Sequence, residues 1–466
     1  MFINLKKYLP IILLIILACV VRLWFVFSIN YTAEDSFITF QFARALSRGD
    51  GFAINPGHPV YGTTTPLLTI LLAGWLLMSK DIVTGARILD VLGTVGGMLF
   101  LYLAISKKRE ALVALFIMAI SARLYIEEMQ GMEMPLTFLF LAASLYGIIR
   151  KKPYFSGIMA GLMLWARIDT VIWVGCLFLV VLLDNFQSGL KYFISTSAIY
   201  LPWVIFAWIY FGSPIPLTVT AKLIAYGIHS PPPIDHLQTI IRYVSWPIFI
   251  LSLFSIPSIL KIKSFWIFPL FIVIEIPLLV LTGTTYFYRY FYLLLLVCYI
   301  LLGFGIVYWS ERIIGNSTKL KRYLLPITLM LIFIFSWNSV RNSTDNHSLR
   351  NGVLQHMGEW INTNTPPGST VLLEPLGYVG WYADRIMIDE VGLVTPEVVK
   401  LDGRLPASEF FRVFWPDYVV WKCGAGGTSR AEIMQYYSIV QNFGNQNQPC
   451  VYEIWKRMLT LPEIVN

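Results

Sequence analysis

Apolar runs alternate with short polar connections along most of the chain, and in the last quarter the pattern changes to short β-branched runs between turns. Runs of membrane-crossing character fall at 8–28, 86–106, 110–125, 134–150, 154–168, 170–184, 192–212, 237–260, 264–283, 286–308 and 322–339. The pattern predicts an α-helical polytopic membrane protein with about eleven transmembrane helices. Residues 67–78 are apolar too, but a crossing there would move every later basic cluster to the opposite side of the membrane. They are expected to form an interfacial or re-entrant helix.

The basic clusters set the expected orientation. Lys107-Lys108-Arg109, Arg150-Lys151-Lys152, Lys191, Lys261 with Lys263, and Lys319, Lys321 and Arg322 all fall on the side of Lys6 and Lys7. Basic loops stay cytoplasmic, so the chain is expected to be a multi-pass cell-membrane protein with a cytoplasmic N-terminus and an exoplasmic C-terminal region. From Arg341 onward Asn, Asp, Gly and Pro increase, and Thr370 to Leu373, Arg385 to Ile388 and Tyr418 to Trp421 read as strands. The expected organisation is a transmembrane domain over 1–340, with a first exoplasmic loop over 29–85, and a soluble α/β domain over 341–466.

Composition narrows the function classes. Hydrophobic residues make up 57% of the chain and charged residues 13%, which excludes an ordinary soluble globule. The net charge of +8 lies in short clusters between apolar runs and forms no stripe, so nucleic acid is not an expected partner and the bilayer is. Cys19, Cys176 and Cys298 lie in apolar runs as small buried residues. Cys423 and Cys450 both lie in the exported region, where a disulfide is chemically possible. No His/Cys cluster has zinc spacing, and no phosphate-binding glycine loop or nucleophile elbow is present.

The candidate chemistry begins at Glu34-Asp35, just after the first apolar run. Phe37, Phe40, Ala43 and Leu46 recur at helical spacing beyond the pair, and Gly49-Asp50-Gly51 then Asn55-Pro56-Gly57 end the helix. Charge beside hydrocarbon costs several kcal/mol unless it is paired or hydrated, so an acidic pair at the start of an interfacial helix points to function. In the expected orientation Glu34, Asp35, Glu127, Glu128, Glu133, Arg167, Asp169, Lys222 and Arg289 gather on the exoplasmic side. The structural alternative makes Arg167 and Asp169 an ion pair, leaves Glu127 and Glu128 solvated, and lets Arg289 snorkel to the interface.

The run Glu34-Asp35-Ser36-Phe37-Ile38-Thr39-Phe40, then Ala43-Arg44, Gly49-Asp50-Gly51-Phe52 and Gly62-Thr63-Thr64-Thr65-Pro66, resembles the first exoplasmic loop of GT-C glycosyltransferases similar to mycobacterial terminal arabinofuranosyltransferases. The resemblance continues through Gly131 to Pro135, Arg167-Ile168-Asp169, Tyr210 to Pro216 with Ala221-Lys222, Arg289-Tyr290, Leu376-Gly377-Tyr378 and Val391 to Glu397. It implies a GT-C fold, a polyprenyl-phosphate sugar as donor, and a glycan, lipid or protein of the cell envelope as acceptor. The chain departs from that family's usual pattern at Glu34, Gln41, Tyr61, Ile168, Thr170 and Leu217, so the sugar itself does not carry over.

The chemistry of such a transfer assigns roles. A sugar on a polyprenyl phosphate leaves behind a phosphate, which needs only cationic support, and Lys222, Arg289, Arg44 and Arg167 are the candidates. The acceptor hydroxyl loses a proton as it attacks, so Asp35 is the candidate general base, with Glu34 orienting it or sharing the work. Glu133, Asp169 and Tyr290 are candidate substrate contacts. Adjacent carboxylates suit a divalent cation such as Mg or Mn, although nothing in the sequence requires a metal. A lipid-linked sugar flippase or transporter and a non-catalytic envelope assembly protein are the alternatives, the first of which would carry its polar residues down to the bilayer midplane.

Overall fold

The apolar runs fold as helices of two length classes. A computed structural model describes residues 5–29, 31–227, 232–260, 262–283, 287–313, 352–401, 410–424, 430–431, 433–445 and 448–458. Among the described residues five helices are long and apolar enough to cross a membrane. They are Tyr8–Ile29 within α1 (Leu5–Ile29), α4 (Ile82–Ala104), α10 (Phe186–Phe211), Lys263–Leu281 containing α14 (Ile267–Leu281), and Tyr288–Arg312, which holds most of α15 (Tyr292–Ile313). The segment expected at 237–260 is two helices, α12 (Pro233–Val244) and α13 (Trp246–Phe254), bent by 84° where Ser245 takes a φ of +73°. Counted together, that pair makes a sixth span.

The remaining apolar runs are shorter. α7 (Met134–Ile149), α8 (Pro153–Ala166) and α9 (Val171–Asp184) have 16, 14 and 14 residues. At 1.5 Å per residue they rise about 21–24 Å, against ~30 Å of hydrocarbon. The run at 110–125 breaks at Ser121 into α5 (Lys108–Ile120) and α6 (Ala122–Glu128), where the Ser121 hydroxyl accepts the Leu124 N–H and caps the second helix. α3 (Pro66–Leu76) has 11 residues, in keeping with a helix that does not cross. The span expected at 322–339 and the boundary at 340/341 lie outside the described residues.

The chain divides into two compact units, one of Met1–Thr32, Val83–Val204 and Ser230–Thr344, the other of Ala33–Ile82, Ile205–His229 and Asp345–Asn466. In the first unit α15 is the buried axis, with its residues inaccessible from Tyr292 through Gly305. It packs on α5, where a Cβ added at Gly303 would stand 2.6 Å from that of Ala114. Small residues at such a crossing let the two helices approach closely. α1 instead exposes Leu13, Ile16, Val20 and Phe27.

Arg22 lies on the buried stripe of α1 with Ile11, Ala18 and Phe25, with only 2% of its surface accessible. Its Nε donates to Glu128 Oε2 at 2.7 Å, and its terminal nitrogens donate to the Ala119 and Met118 carbonyls at 3.3 Å. Glu128 also accepts from the Tyr292 hydroxyl at 2.8 Å and the Thr94 hydroxyl at 3.3 Å. One buried carboxylate thereby joins α1, α4, α6 and α15. Glu128 is fully inaccessible, which corrects the expectation of a solvated charge: a matched guanidinium lets it leave water.

The second unit holds α2 (Glu34–Arg48), α3, the last residues of α10, α11 (Leu217–Gly227) and the α/β region. The α/β region comprises α16 (352–364), β1 (Thr370–Leu373), α17 (Leu376–Ala383), β2 (Ile386–Asp389), α18 (Pro396–Lys400), α19 (Phe410–Phe414), β3 (Tyr418–Lys422), β4 (Tyr437–Phe443) and β5 (Tyr452–Arg457). The five strands lie in the order β2-β1-β3-β5-β4, parallel across β2, β1 and β3 and antiparallel from β3 through β5 to β4. Their core is Leu372, Phe411, Val419, Ile433, Tyr437 and Trp455. The three strands read from sequence are present within a residue at each end, and β4 and β5 are additional. Cys423 and Cys450 form a disulfide between the end of β3 and the start of β5, with Cα atoms 5.9 Å apart.

Removing one partner of a buried ion pair leaves the other uncompensated, at a cost of ~3–5 kcal/mol. Glu128→Ala should therefore lower the thermal stability of the detergent-solubilised protein sharply. Arg22→Met with Glu128→Leu should recover most of that loss, measured by thermal unfolding.

Candidate functional site

α2 starts as its sequence predicts. Glu34 and Asp35 occupy the first turn, where carboxylates suit the positive end of the helix dipole, and Gly49 ends the helix with a φ of +88°. Ala33 at its N-cap offers no side-chain hydrogen bond. α17 packs against this helix. Gly377 N–H donates to Glu34 Oε1, and the Gln41 amide donates to the Leu376 and Gly377 carbonyls at 3.1 and 3.2 Å. The Phe37 ring lies 4.1 Å from that of Tyr378.

Gly377 and Gly380 are required at this seam. A Cβ at Gly377 would stand 2.0 Å from the Glu34 carbonyl oxygen, and one at Gly380 would stand 2.5 Å from the Gln41 side-chain oxygen. The Leu376-Gly377-Tyr378 motif is therefore a packing motif on α2. Further along, Asn55 donates to the Met387 carbonyl and accepts its N–H, both at 2.8 Å, so its amide pairs with strand β2. Thr39, Thr63, Thr65 and Thr69 form a chain of buried hydroxyl contacts at 3.3–3.4 Å, linking α2 to α3.

Of the candidates in this unit, Asp35 and Glu34 are adjacent and half-buried. Burial and then the Asp35 charge push the Glu34 carboxyl well above the usual carboxylate range, while the Gly377 N–H pulls it down. Arg44, expected at a phosphate, donates to the Trp381 carbonyl at 3.0 Å, stacks 4.3 Å from the Trp381 ring and lies 3.5 Å from Asp384. Lys222 is half-buried on α11. The sheet adds an acidic group, Asp389, that was not among the candidate site residues. Asp389 accepts the N–H groups of Val391, Leu393 and Val394 and so folds the Val391 to Pro396 turn.

The first unit has its own polar group. Arg167 sits at the break between α8 and the 3-10 turn Ile168–Thr170. Its Nη1 donates to Glu133 Oε1 at 2.8 Å, its Nε donates to Asp169 Oδ1 at 2.9 Å, and its Nη2 reaches Asp169 Oδ2. The guanidinium also lies 5.6 Å from the Tyr290 ring, and that of Arg289 lies 5.8 Å from the same ring. Glu133, Arg167, Asp169, Tyr290 and Arg289 are thus one cluster, in which two carboxylates match Arg167. Glu133 Oε2 is buried without a hydrogen-bond partner among the described residues, as is Oε2 of Glu275 on α14. Glu275 is within electrostatic reach of Asp169 and Arg167 and was not singled out from sequence. Among the described residues no group of three or more His, Cys, Asp or Glu has metal-holding geometry.

Residues 341–455 match the family model of a domain of unknown function, DUF8728. No curated protein matches the chain by sequence. Among solved structures, the chain is similar to ArnT from Cupriavidus metallidurans in the apo state, with a TM-score of 0.64 and 12% identity over 95% of this chain and 97% of that one. It is similar to the same protein bound to undecaprenyl phosphate, with a TM-score of 0.62 and 13% identity over 95% and 97% of the two chains. The Archaeoglobus fulgidus oligosaccharyltransferase tethered to an acceptor peptide matches with a TM-score of 0.61 and 14% identity, over 95% of this chain and 74% of that one. Likeness at this identity is likeness of fold. The fold is that of GT-C glycosyltransferases, a polytopic helical membrane protein carrying a small C-terminal sheet domain.

Glu390, just after β2, has its carboxyl pushed up to about 8, first by burial and then by the Glu374 and Asp389 charges, with Lys422 opposing. A raised acid adds stability that is complete below its unfolded value and is lost as pH rises through its folded value, here between about pH 4.5 and pH 8. The unfolding temperature of the full-length protein should therefore decline over that window. Glu390→Gln should flatten the decline, as read by thermal unfolding at several pH values.

Proposed function

We propose that the protein is a membrane glycosyltransferase that moves a sugar from a polyprenyl-phosphate donor to an acceptor hydroxyl on the exoplasmic face, with inversion at the anomeric carbon. The observation that carries this reading is the half-buried Glu34-Asp35 pair in the first turn of α2, set in a GT-C fold. The ArnT neighbour bound to undecaprenyl phosphate and the oligosaccharyltransferase tethered to an acceptor peptide support a lipid-linked donor and a cell-envelope acceptor. The basic clusters support a cytoplasmic N-terminus, and the Cys423–Cys450 disulfide supports an oxidising, exoplasmic setting for the sheet.

In this mechanism the acceptor oxygen attacks the anomeric carbon from the face opposite the phosphate. The bond between that carbon and the phosphate oxygen breaks, and the phosphate keeps the electron pair. Asp35 takes the hydroxyl proton as the new bond forms. Lys222, in the unit that also holds Asp35, supports the departing phosphate as a cation. Arg167 is matched by Glu133 and Asp169, and Arg44 by Trp381 and Asp384. Glu133, Asp169, Tyr290 and Arg289 form a separate polar cluster in the first unit. Glu34 and Asp35 are the carboxylates that would hold a divalent cation, which would add positive charge beside the departing phosphate.

Asp35→Asn keeps size and hydrogen bonding and removes basicity. Sugar transfer should fall by ~100-fold or more while expression and donor binding hold, because general-base catalysis is worth 10²–10⁴. Release of polyprenyl phosphate, measured with a panel of polyprenyl-phosphate sugars and acceptors, checks this. Substantial activity in the variant returns the acid pair to a structural role.

A further inference from the structure

We propose that Glu34 is a positioning residue rather than a second base: its carboxylate caps the N-terminus of α17, and through that contact the α/β region fixes the turn that carries Asp35. The inference rests on the reading of Asp35 as the base.

Two helix N-termini meet at this point, and neither is capped from its own sequence. α2 follows Ala33 and α17 follows Pro375, and neither cap residue makes a side-chain hydrogen bond. The first N–H groups of a helix have no intrahelical acceptor and need one from elsewhere. Glu34 supplies it for α17, from a position 343 residues away in sequence, through the Gly377 N–H to Oε1 bond. A carboxylate there also meets the positive end of the α17 dipole.

The bond works in both directions. It gives the first turn of α2 an anchor that Ala33 does not provide, and two further contacts fix the helices against each other. Gln41, two turns along, donates to the carbonyls of Leu376 and Gly377, and Phe37 packs on Tyr378. Gly377 lets the backbones touch, since a Cβ there would overlap the Glu34 carbonyl oxygen at 2.0 Å. Asp35 is the next residue on that turn, so a shift of Glu34 displaces Asp35 with it. A misplacement of about 1 Å costs as much as ~100-fold in rate. The Glu34 carboxyl is also buried beside the Asp35 charge, which favours its neutral form. A neutral acid retains a carbonyl oxygen that accepts the Gly377 N–H, so the cap does not depend on charge.

Substitution separates reach from charge. Glu34→Gln keeps the length and the acceptor oxygen without charge, and Glu34→Asp keeps the charge but is one methylene too short to reach Gly377. Hydrogen–deuterium exchange of the full-length protein in detergent gives a readout independent of activity. Peptides covering 33–40 and 376–383 should exchange about tenfold faster in Glu34→Asp and Glu34→Ala and remain protected in Glu34→Gln. Transfer from an undecaprenyl-phosphate sugar accepted by the parent should fall in kcat by ~10- to 100-fold in Glu34→Asp, Glu34→Ala and Gly377→Ala, with KM for the donor held within about threefold. Glu34→Gln should restore kcat to within about threefold of the parent.

The reverse order, with Glu34→Asp active and protected and Glu34→Gln impaired, would overturn the proposal and make the charge itself the contribution. Loss of transfer in Glu34→Gln with its exchange unchanged would do the same. An active Asp35→Asn protein removes the base assignment instead, and leaves the exchange result to decide the contact between Glu34 and Gly377.

Discussion

A polar group withdrawn from water must meet a partner inside the protein, and that constraint organises both units. In the membrane unit it acts on charges. Arg22 is tolerated on the buried stripe of α1 because Glu128 and two carbonyls receive it, and Arg167 is tolerated because Glu133 and Asp169 do the same. In the other unit it acts on backbone groups left over where helices and strands end. Glu34, Gln41, Asn55 and Asp389 each supply side-chain atoms to backbone N–H or C=O groups of the α/β region. Most of these polar contacts join segments far apart in sequence, as Arg22 with Glu128 and Glu34 with Gly377 do.

Much of this was legible in the chain itself, for local reasons. α2 could be drawn to its ends because a 3.6-residue period runs up to Gly49 and Gly51, both at positive φ. β1, β2 and β3 are short β-branched runs next to turns. β4 and β5 were not read because Gln441, Asn442, Glu453, Lys456 and Arg457 break the apolar pattern that marks a strand. Single charges inside long apolar runs, Arg22 and Glu275, barely change the hydropathy of a window. Breaks at Ser121 and Ser245 are invisible to the same measure, because both sides of each break are apolar. Contacts across more than three hundred residues cannot be read from spacing, so the stacking of Arg44 on Trp381 had no signal in the sequence.

The motifs behind the family resemblance divide accordingly. Gly62 to Pro66, Leu376 to Tyr378 and Val391 to Pro396 hold the second unit together, through glycines at close approaches, a chain of threonine hydroxyls and a turn folded on Asp389. Such motifs record a shared architecture and are silent about the sugar. Discrimination between sugars depends on which hydroxyls find partners and which site groups are left unpaired. Glu133 and Glu275 each keep one buried oxygen unpartnered among the described residues.

Asn55 has a consequence for how the chain can be divided. β2 is the outer strand of the sheet, and a bare outer strand is an adhesive surface for a second copy. The Asn55 amide occupies Met387 on that strand as an extra peptide group would, so the sheet is closed by a residue from the opposite end of the polypeptide. The stretch that the domain family model matches, 341–455, does not contain its own stopper. Cut out by itself it would leave Met387 without that cover, so the stretch the family model matches is shorter than the one that protects this edge of the sheet.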